Sequence, residues 1–136
     1  MKRLAPYMTR GDDRGQMTGI TQDLWHEANF VESKAGIARG RHYHKDTEEL
    51  FYIISGHIKV ETIRMADGHR AETTLTDGDI LLIEPGEWHL FTTLTDSRWI
   101  NMLSKAFDPN NPDMITPDTL PPPPSAEDTP EQEAKQ

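Results

Sequence analysis

The chain has 136 residues and a formal net charge of -9 at pH 7, with 14 Lys and Arg against 23 Asp and Glu. This length fits one domain with a flexible extension. The acidic balance argues against nucleic acid as a partner, because a phosphate backbone would be repelled. The sequence contains no cysteine, which excludes disulfides, thiolate catalysis and sulfur-ligated metal sites.

Hydrophobic runs along the chain are short. None approaches the roughly 18 apolar residues that a membrane helix needs, and the first residues lack the apolar segment of a signal peptide. We therefore expect a soluble, cytoplasmic protein with no membrane partner.

Residues 1–18 carry few apolar side chains and are interpreted as an N-terminal arm. Residues 19–106 show short apolar or alternating runs separated by Gly, Asp and Pro, a pattern typical of strands. The predicted strands are residues 50–54, 58–62, 71–75, 80–83, 90–94 and 99–103. The turn at Ser55-Gly56 predicts a hairpin between the first two. Regularly spaced strands favour an all-β sandwich or barrel.

Residues 107–136 differ in composition from the rest of the chain. They contain eight of the ten prolines, and seven acidic residues against one lysine. Such a segment buries too little apolar surface to offset its ordering entropy. We interpret it as a Pro-rich acidic C-terminal tail that is largely disordered.

Three of the six histidines lie in a pattern with one glutamate: His42, His44, Glu49 and His89. Residues i and i+2 of a strand point to the same face, so His42 and His44 project together. Three imidazole nitrogens and one carboxylate oxygen suit Zn, Fe, Mn, Ni or Co. The pattern predicts one divalent metal ion as the cofactor and leaves its identity open.

The same residues fall in two spaced motifs. The first, G(X)5HXH(X)3,4E(X)6G, is matched in full at Gly36, His42, His44, Glu49 and Gly56. The second, G(X)5PXG(X)2H(X)3N, is matched at Gly78, Gly86 and His89, with Glu84 for the usual Pro and Thr93 for the usual Asn. These motifs resemble the cupin superfamily across residues 30–95. The resemblance implies a double-stranded β-helix, the cupin jelly-roll barrel, with a metal inside it.

Several single residues leave alternatives open. Glu48 is an alternative ligand to Glu49, although only Glu49 stands six residues before Gly56. Arg39 and Arg41 are either solvated or a phosphate clamp. The histidines outside the pattern are interpreted as structural: His26, His57 and His69.

Because alternate residues of a strand share one face, Phe51 and Phe91 are expected on the same face as the metal ligands, where they would line a substrate pocket. The opposite face of the same strand carries Leu50, Tyr52 and Ile54. Because both faces are apolar, we expect the outer one to be covered by the N-terminal segment or by a second subunit, and we favour a homodimer.

A narrower resemblance rests on Gly40-Arg41-His42-Tyr43-His44 and on Phe107-Asp108-Pro109-Asn110-Asn111-Pro112-Asp113. Together they resemble the C-terminal cupin domain of capsular-polysaccharide enzymes, which epimerises a keto-deoxy-sugar nucleotide. The chain is also similar to small cupin sugar-nucleotide ketoisomerases and epimerases, which often lack a full metal set. The resemblance implies a metal-dependent epimerase or isomerase of polysaccharide biosynthesis with a small-molecule substrate.

Two other functions fit the same ligand set: a non-haem metal-dependent oxygenase of a small organic substrate, and a non-enzymatic cupin module that binds a small molecule. No residue is assigned as the catalytic base, since Tyr52 faces away and His26 is only a candidate. No Gly-rich phosphate loop indicates a nicotinamide or flavin site.

Overall fold

The structure is a computed structural model that describes residues 1–125. Its strands, in chain order, are β1 (Lys2–Leu4), β2 (Met8–Asp12), β3 (Gly15–Gly19), β4 (Glu27–Ser33), β5 (Ala38–His42), β6 (Glu49–Ser55), β7 (Ile58–Arg64), β8 (Arg70–Leu75), β9 (Ile80–Ile83), β10 (Glu87–Thr93) and β11 (Ser97–Leu103). Within residues 1–125 no helix is long and apolar enough to cross a membrane.

Two antiparallel sheets form the barrel. One has the strand order β1-β9-β6-β11-β4, and the other has the order β5-β10-β7-β8. Strands β2 and β3 form a separate two-stranded sheet. This arrangement confirms the predicted all-β fold, a double-stranded β-helix of the jelly-roll type, and all six strands named from the sequence are present within a few residues of their predicted bounds.

The hydrophobic core lies between the two large sheets. Its buried members come from both of them: Phe51, Ile53, Ile58, Val60, Leu75, Leu81, Ile83, Phe91 and Trp99. The rings of Phe51 and Phe91 meet across the barrel with their centroids 4.5 Å apart. The alternation of side chains along each strand therefore sends every second residue into one shared interior.

The predicted hairpin between residues 50–54 and 58–62 is wrong. Strand β6 pairs with β9 and β11, whereas β7 pairs with β10 and β8, so the chain crosses from one sheet to the other between them. Gly56 at this corner has a φ of 112°, and an added Cβ would lie 2.1 Å from Ser97 Oγ. A Ser-Gly turn signal marks a change of direction but not which strands then pair.

The N-terminal residues contain more regular structure than their composition indicates. Strand β1 pairs with β9 at the edge of the five-stranded sheet, and β2 and β3 form a hairpin. All three strands are mostly exposed, so they lack the apolar pattern by which strands are found in sequence. The division into residues 1–18, 19–106 and 107–136 stays a prediction, and much of the predicted disorder falls on residues 126–136, outside the described part.

The outer face of β6 is apolar, as expected. Leu50 is buried, Tyr52 is half-buried and Ile54 is exposed. In the neighbouring strands Tyr52 pairs with Ile80, which is buried, and with Ile100, which is half-buried, so part of this face is already covered within the single chain. The homodimer that would cover this face stays a prediction.

Candidate metal centre and pocket

The four predicted ligands come together at one end of the barrel. His42, His44, Glu49 and His89 each offer one ligand atom, and these atoms all lie within 4.8 Å of one another. The imidazole centroid of His42 lies 5.1 Å from that of His44 and 4.8 Å from that of His89. Three of the four side chains are buried, and His42 is half-buried.

The position of His42 depends on an irregularity in β5. His42 pairs with His89 and Gly40 pairs with Leu90, so Arg41 is an extra residue between two successive pairs. Arg41 has a φ of 64° and Gly40 has a φ of 108°. A β-bulge of this kind turns the strand and re-aims the next side chain. The bulge therefore directs His42 toward the other ligands as β5 ends.

Backbone carbonyls fix the orientation of two imidazoles. His89 Nδ1 lies 3.0 Å from the carbonyl oxygen of Glu87, and His44 Nδ1 lies against the carbonyl oxygen of Asp113. A carbonyl oxygen only accepts hydrogen bonds, so Nδ1 carries the proton in both rings. In the neutral ring Nε2 then holds the lone pair that a metal requires.

The donor set fits a divalent transition metal. His44 Nε2 is buried and has no hydrogen bond of normal geometry, and it lies against Glu49 Oε1. The other carboxylate oxygen of Glu49 receives a long hydrogen bond of 3.4 Å from Asn101 Nδ2. A buried nitrogen without a normal partner, next to a carboxylate and two further imidazoles, is the environment that a cation would complete.

The charge states within the cluster favour a cation. Burial, together with the neighbouring His89 and His44, lowers the pKa of His42 to about 4. Burial also lowers the pKa of His89. Burial lowers the pKa of His44, but the adjacent Glu49 carboxylate outweighs this effect and raises that pKa. Burial raises the pKa of Glu49, but the three neighbouring imidazoles outweigh this effect and lower it. At neutral pH, His42 and His89 are therefore unprotonated and Glu49 is ionised, as metal binding requires.

The cluster lies in a cavity of about 500 Å³. Phe51 and Phe91 both line this cavity, together with Trp99. The lining also includes the acidic residues Glu27, Asp46, Asp108 and Asp113 and the basic residues Arg39 and Lys105. The cavity wall thus combines apolar and charged side chains.

Other residues considered from the sequence lie outside the cluster. Glu48 is exposed, and its backbone pairs with Ser104, so Glu49 is the carboxylate that faces the histidines. Arg41 is exposed and does not line the cavity, whereas Arg39 lines it and donates to Ser33 Oγ at 3.1 Å. The remaining histidines, His26, His57 and His69, and Tyr52 are not part of the cavity lining.

The two departures from the second motif have structural partners. Glu84 N donates to Glu87 Oε1 at 2.8 Å, a hydrogen bond that proline cannot make. Thr93 is 1 % exposed, and its Oγ1 accepts a hydrogen bond of 3.0 Å from Ile37 N. Thr93 therefore holds the loop that precedes β5.

Several residues that line the cavity were not among the predicted pocket residues. Trp99, Asn101 and Val31 reach the cavity from β11 and β4. Residues 107–114 reach it from the predicted tail, and Asp113 contacts His44 directly. The one sequence signal for this segment is the resemblance of residues 107–113.

Comparison with known proteins supports the fold. The family described as "Cupin domain" matches residues 29–102. No curated protein sequence matches the chain at a significant level.

Among solved structures, the chain is similar to the capsular polysaccharide assembling protein CapF from Staphylococcus aureus, with 29% identity and a TM-score of 0.63 over 79% of this chain and 33% of CapF. It spans only a third of that protein. It is also similar to QdtA, a sugar 3,4-ketoisomerase from Thermoanaerobacterium thermosaccharolyticum in complex with TDP, with 20% identity and a TM-score of 0.69 over 84% of this chain and 86% of QdtA.

A third similar structure is dTDP-4-dehydrorhamnose 3,5-epimerase from Sulfolobus tokodaii, with 21% identity and a TM-score of 0.66 over 75% of this chain and 69% of the epimerase. The identities to QdtA and to this epimerase support the fold alone. The family match covers more than half of the sequence and includes all four residues of the cluster. The chain belongs to the cupin domain family.

Proposed function

We propose that this protein is a metal-dependent isomerase or epimerase that acts next to the keto group of a deoxy-sugar nucleotide in polysaccharide biosynthesis. The observation that carries the proposal is the convergence of His42, His44, Glu49 and His89 inside a cavity large enough for a sugar. The similarity to the capsular polysaccharide assembling protein CapF over the cupin barrel supports a role in polysaccharide biosynthesis, and two enzymes of sugar nucleotides share the fold.

The four ligand residues would hold one divalent ion of Zn, Fe, Mn or Ni type. When bound, such an ion supplies a Lewis acid that polarises a carbonyl oxygen and so lowers the pKa of the adjacent carbon. The protein's own contribution is to keep His42 and His89 neutral by burial and to keep Glu49 ionised. Both conditions hold the site ready for a cation at neutral pH.

Three groups of residues that line the cavity would contact different parts of the substrate. Phe51, Phe91 and Trp99 are buried and make part of the cavity wall apolar. Arg39 and Lys105 also line the cavity, and their charges would attract a diphosphate. Asn29 and Asn101 line the same cavity and offer amide groups to sugar hydroxyls. These apolar, amide and basic groups fit a sugar linked to a nucleoside diphosphate.

The decisive experiment is solvent exchange. The protein, loaded in turn with Zn, Fe, Mn and Ni, is incubated in D₂O with TDP-4-keto-6-deoxyglucose, the sugar nucleotide of one QdtA complex. When the C–H bond next to the keto group breaks, its electron pair shifts toward the carbonyl oxygen and its proton exchanges with solvent. Proton NMR should then show loss of the signal of that hydrogen as deuterium replaces it. Treatment with a chelator should stop the exchange.

Two variants control the experiment. His89→Ala removes a member of the cluster and should abolish exchange, whereas His57→Ala changes an exposed histidine outside the cavity and should leave exchange intact. Exchange that survives both chelation and His89→Ala would contradict the metal-dependent proposal. Consumption of O₂ with loss of a small organic substrate would favour an oxygenase, and binding without turnover would favour a non-enzymatic module.

A further inference from the structure

A segment without strands returns from the end of β11 to the metal centre. Residues 107–114 line the cavity in part, and Ile115 then forms an isolated bridge with Tyr43, which lies between His42 and His44. Tyr43 N donates to Ile115 O at 3.0 Å, and Ile115 N donates to Tyr43 O at 2.9 Å. The segment is therefore tied to the stretch of chain that carries two of the four candidate ligands.

The side chain of Asp113 anchors this segment. Its Oδ1 accepts a hydrogen bond of 2.7 Å from Lys45 N, and its Oδ2 accepts three hydrogen bonds of 2.8 Å, from Asp46 N, Thr47 N and Thr47 Oγ1. All four partners are donors. A carboxylate, which only accepts, satisfies them all, whereas an amide would place an NH₂ group against at least one N–H donor.

The backbone of the same residue holds His44. The carbonyl oxygen of Asp113 accepts a hydrogen bond from His44 Nδ1, which assigns the ring proton to Nδ1 and directs Nε2 toward the cluster. The carboxylate and the carbonyl of one residue thus contact the chain at residues 45–47 and the candidate ligand next to it.

We propose that Asp113 is a positioning residue for the metal centre, because its docked side chain fixes the carbonyl that orients His44. The inference rests on the proposed metal site, and it extends that site to a residue on a segment outside the barrel strands. Asp113 does not touch the ion or the substrate in this role; it acts through His44.

A general loss of negative charge near the site would also weaken cation binding, so the test must separate charge from orientation. Asp113→Asn removes the negative charge and also places an NH₂ group against at least one of the four hydrogen-bond donors that contact the Asp113 carboxylate. Thr47→Val removes only one donor to the Asp113 carboxylate and changes no charge. Asp118→Asn removes an identical charge from the same tail, three residues beyond the Tyr43–Ile115 bridge. If Asp113 positions His44, Asp113→Asn and Thr47→Val should both weaken metal binding, and Asp118→Asn should not.

The first measurement is the affinity for Zn²⁺ and Co²⁺ by competition with a chromophoric chelator. Loss of a hydrogen bond to a ligating histidine typically weakens metal binding about 10- to 100-fold. We expect a loss in this range for Asp113→Asn, a smaller loss in the same direction for Thr47→Val, and wild-type affinity for Asp118→Asn. Equal affinity in wild type and Asp113→Asn would overturn the proposal, as would an equal loss in Asp118→Asn.

The second measurement does not depend on metal or turnover. In metal-free protein labelled with ¹⁵N-histidine, long-range ¹H–¹⁵N spectra distinguish the two ring tautomers, and His44 should be protonated at Nδ1. In Asp113→Asn this signal should shift toward a mixture of tautomers, while His89, held by Glu87 O, should be unchanged. If the His44 tautomer is the same in wild type and Asp113→Asn, the positioning role of Asp113 is overturned, whether or not the protein binds metal. If the tautomer shifts as expected but the protein binds no metal, the proposed metal-dependent function is contradicted and the effect of Asp113 on His44 stands.

Discussion

Gly40 packs directly against the backbone carbonyl of His89. A Cβ added to Gly40 would lie 2.6 Å from His89 O, and the residue has a φ of 108°. This close approach lets β5 bulge beside β10, which brings His42 and His89 into register as facing members of the cluster. The geometry of two candidate ligands thus depends on a residue with no side chain.

The first prediction concerns Gly40→Ala. The methyl group cannot fit without moving the backbone of β5 or β10, and the positive φ adds strain of about 1–3 kcal/mol. We expect a lower free energy of unfolding by urea denaturation and weaker metal binding. Gly36→Ala is the matched control, since Gly36 also has a positive φ, 78°, but its added Cβ would meet no atom within 4 Å. Equal effects of the two substitutions on metal binding would show that the contact with His89 is unimportant.

The second prediction concerns metal content. Wild-type protein loaded with Zn²⁺ and then desalted should retain one ion per chain by elemental analysis, and His44→Ala should retain substantially less. The reason is that His44 supplies a buried nitrogen that lacks a normal hydrogen bond. His57→Ala is the control because His57 is exposed and outside the cluster. Full occupancy in His44→Ala would remove this residue from the ligand set.

The third prediction concerns pH and the metal-free protein. Burial, with the neighbouring His89 and His44, holds the pKa of His42 at about 4 against an ordinary value of 6.5. Between these values the unfolded chain binds the proton and the folded chain does not, so the free energy of unfolding falls as pH drops through this window. One group limits this slope to about 1.4 kcal/mol per pH unit.

The raised pKa of His44 acts in the opposite direction, so the contribution of His42 must be isolated. Urea unfolding in the presence of a chelator should be compared between wild type and His42→Asn from pH 6.5 down to about 4. The stability of wild type relative to His42→Asn should decrease toward the acid end. Parallel stability curves for the two proteins would contradict the prediction.

Local pattern was enough to predict an all-β fold and the clustering of the four candidate ligands. The strands around Phe51 and Phe91 alternate cleanly, and the spacing of His42 and His44 places both on one face, which the structure reproduces. The pairing of β6 and β7 could not be predicted, because the corner at Gly56 is specified by its close contact with Ser97, far along the chain.

The contacts of Asp113 also could not be predicted from the sequence. Its four donors lie more than sixty residues earlier in the sequence, in a turn that has no pattern of its own. The segment around it is rich in Pro and acidic residues, a composition that predicts disorder. Long-range hydrogen bonds from backbone amides leave no trace in composition or periodicity, so only the resemblance of residues 107–113 pointed to this segment.

The fourth prediction concerns Thr93, which occupies the place of the usual Asn in the second motif. Its buried Oγ1 accepts from Ile37 N and also contacts Lys34 O. Thr93→Val keeps the shape but leaves these backbone groups without a partner, at a cost of about 1–3 kcal/mol. Thr92→Val on the outer face of β10 makes the same chemical change at a half-buried site and should cost less. Urea denaturation checks both, and equal stabilities would show that the hydroxyl is dispensable.

The last prediction concerns two truncations of the tail. Beyond Pro117, the described contacts with the barrel include one hydrogen bond of 3.0 Å from Arg70 Nη2 to Pro121 O and the approach of Pro122 to Gly68. A chain ending at residue 117 should therefore lose only about 1 kcal/mol of stability and keep its affinity for metal, since an exposed hydrogen bond contributes little.

A chain ending at residue 106 also loses the Tyr43–Ile115 bridge and the Asp113 anchor, which leaves His44 Nδ1 without its carbonyl. We expect this chain to melt at a lower temperature and to bind Zn²⁺ at least tenfold more weakly than the chain ending at residue 117, in line with the loss of a partner to a ligating histidine. Thermal melts with and without Zn²⁺ measure both effects, because a bound ion raises the melting temperature according to its affinity. If the two truncated chains gain equally from Zn²⁺, residues 107–117 do not support the metal centre, and the function of this segment must lie in the cavity wall alone.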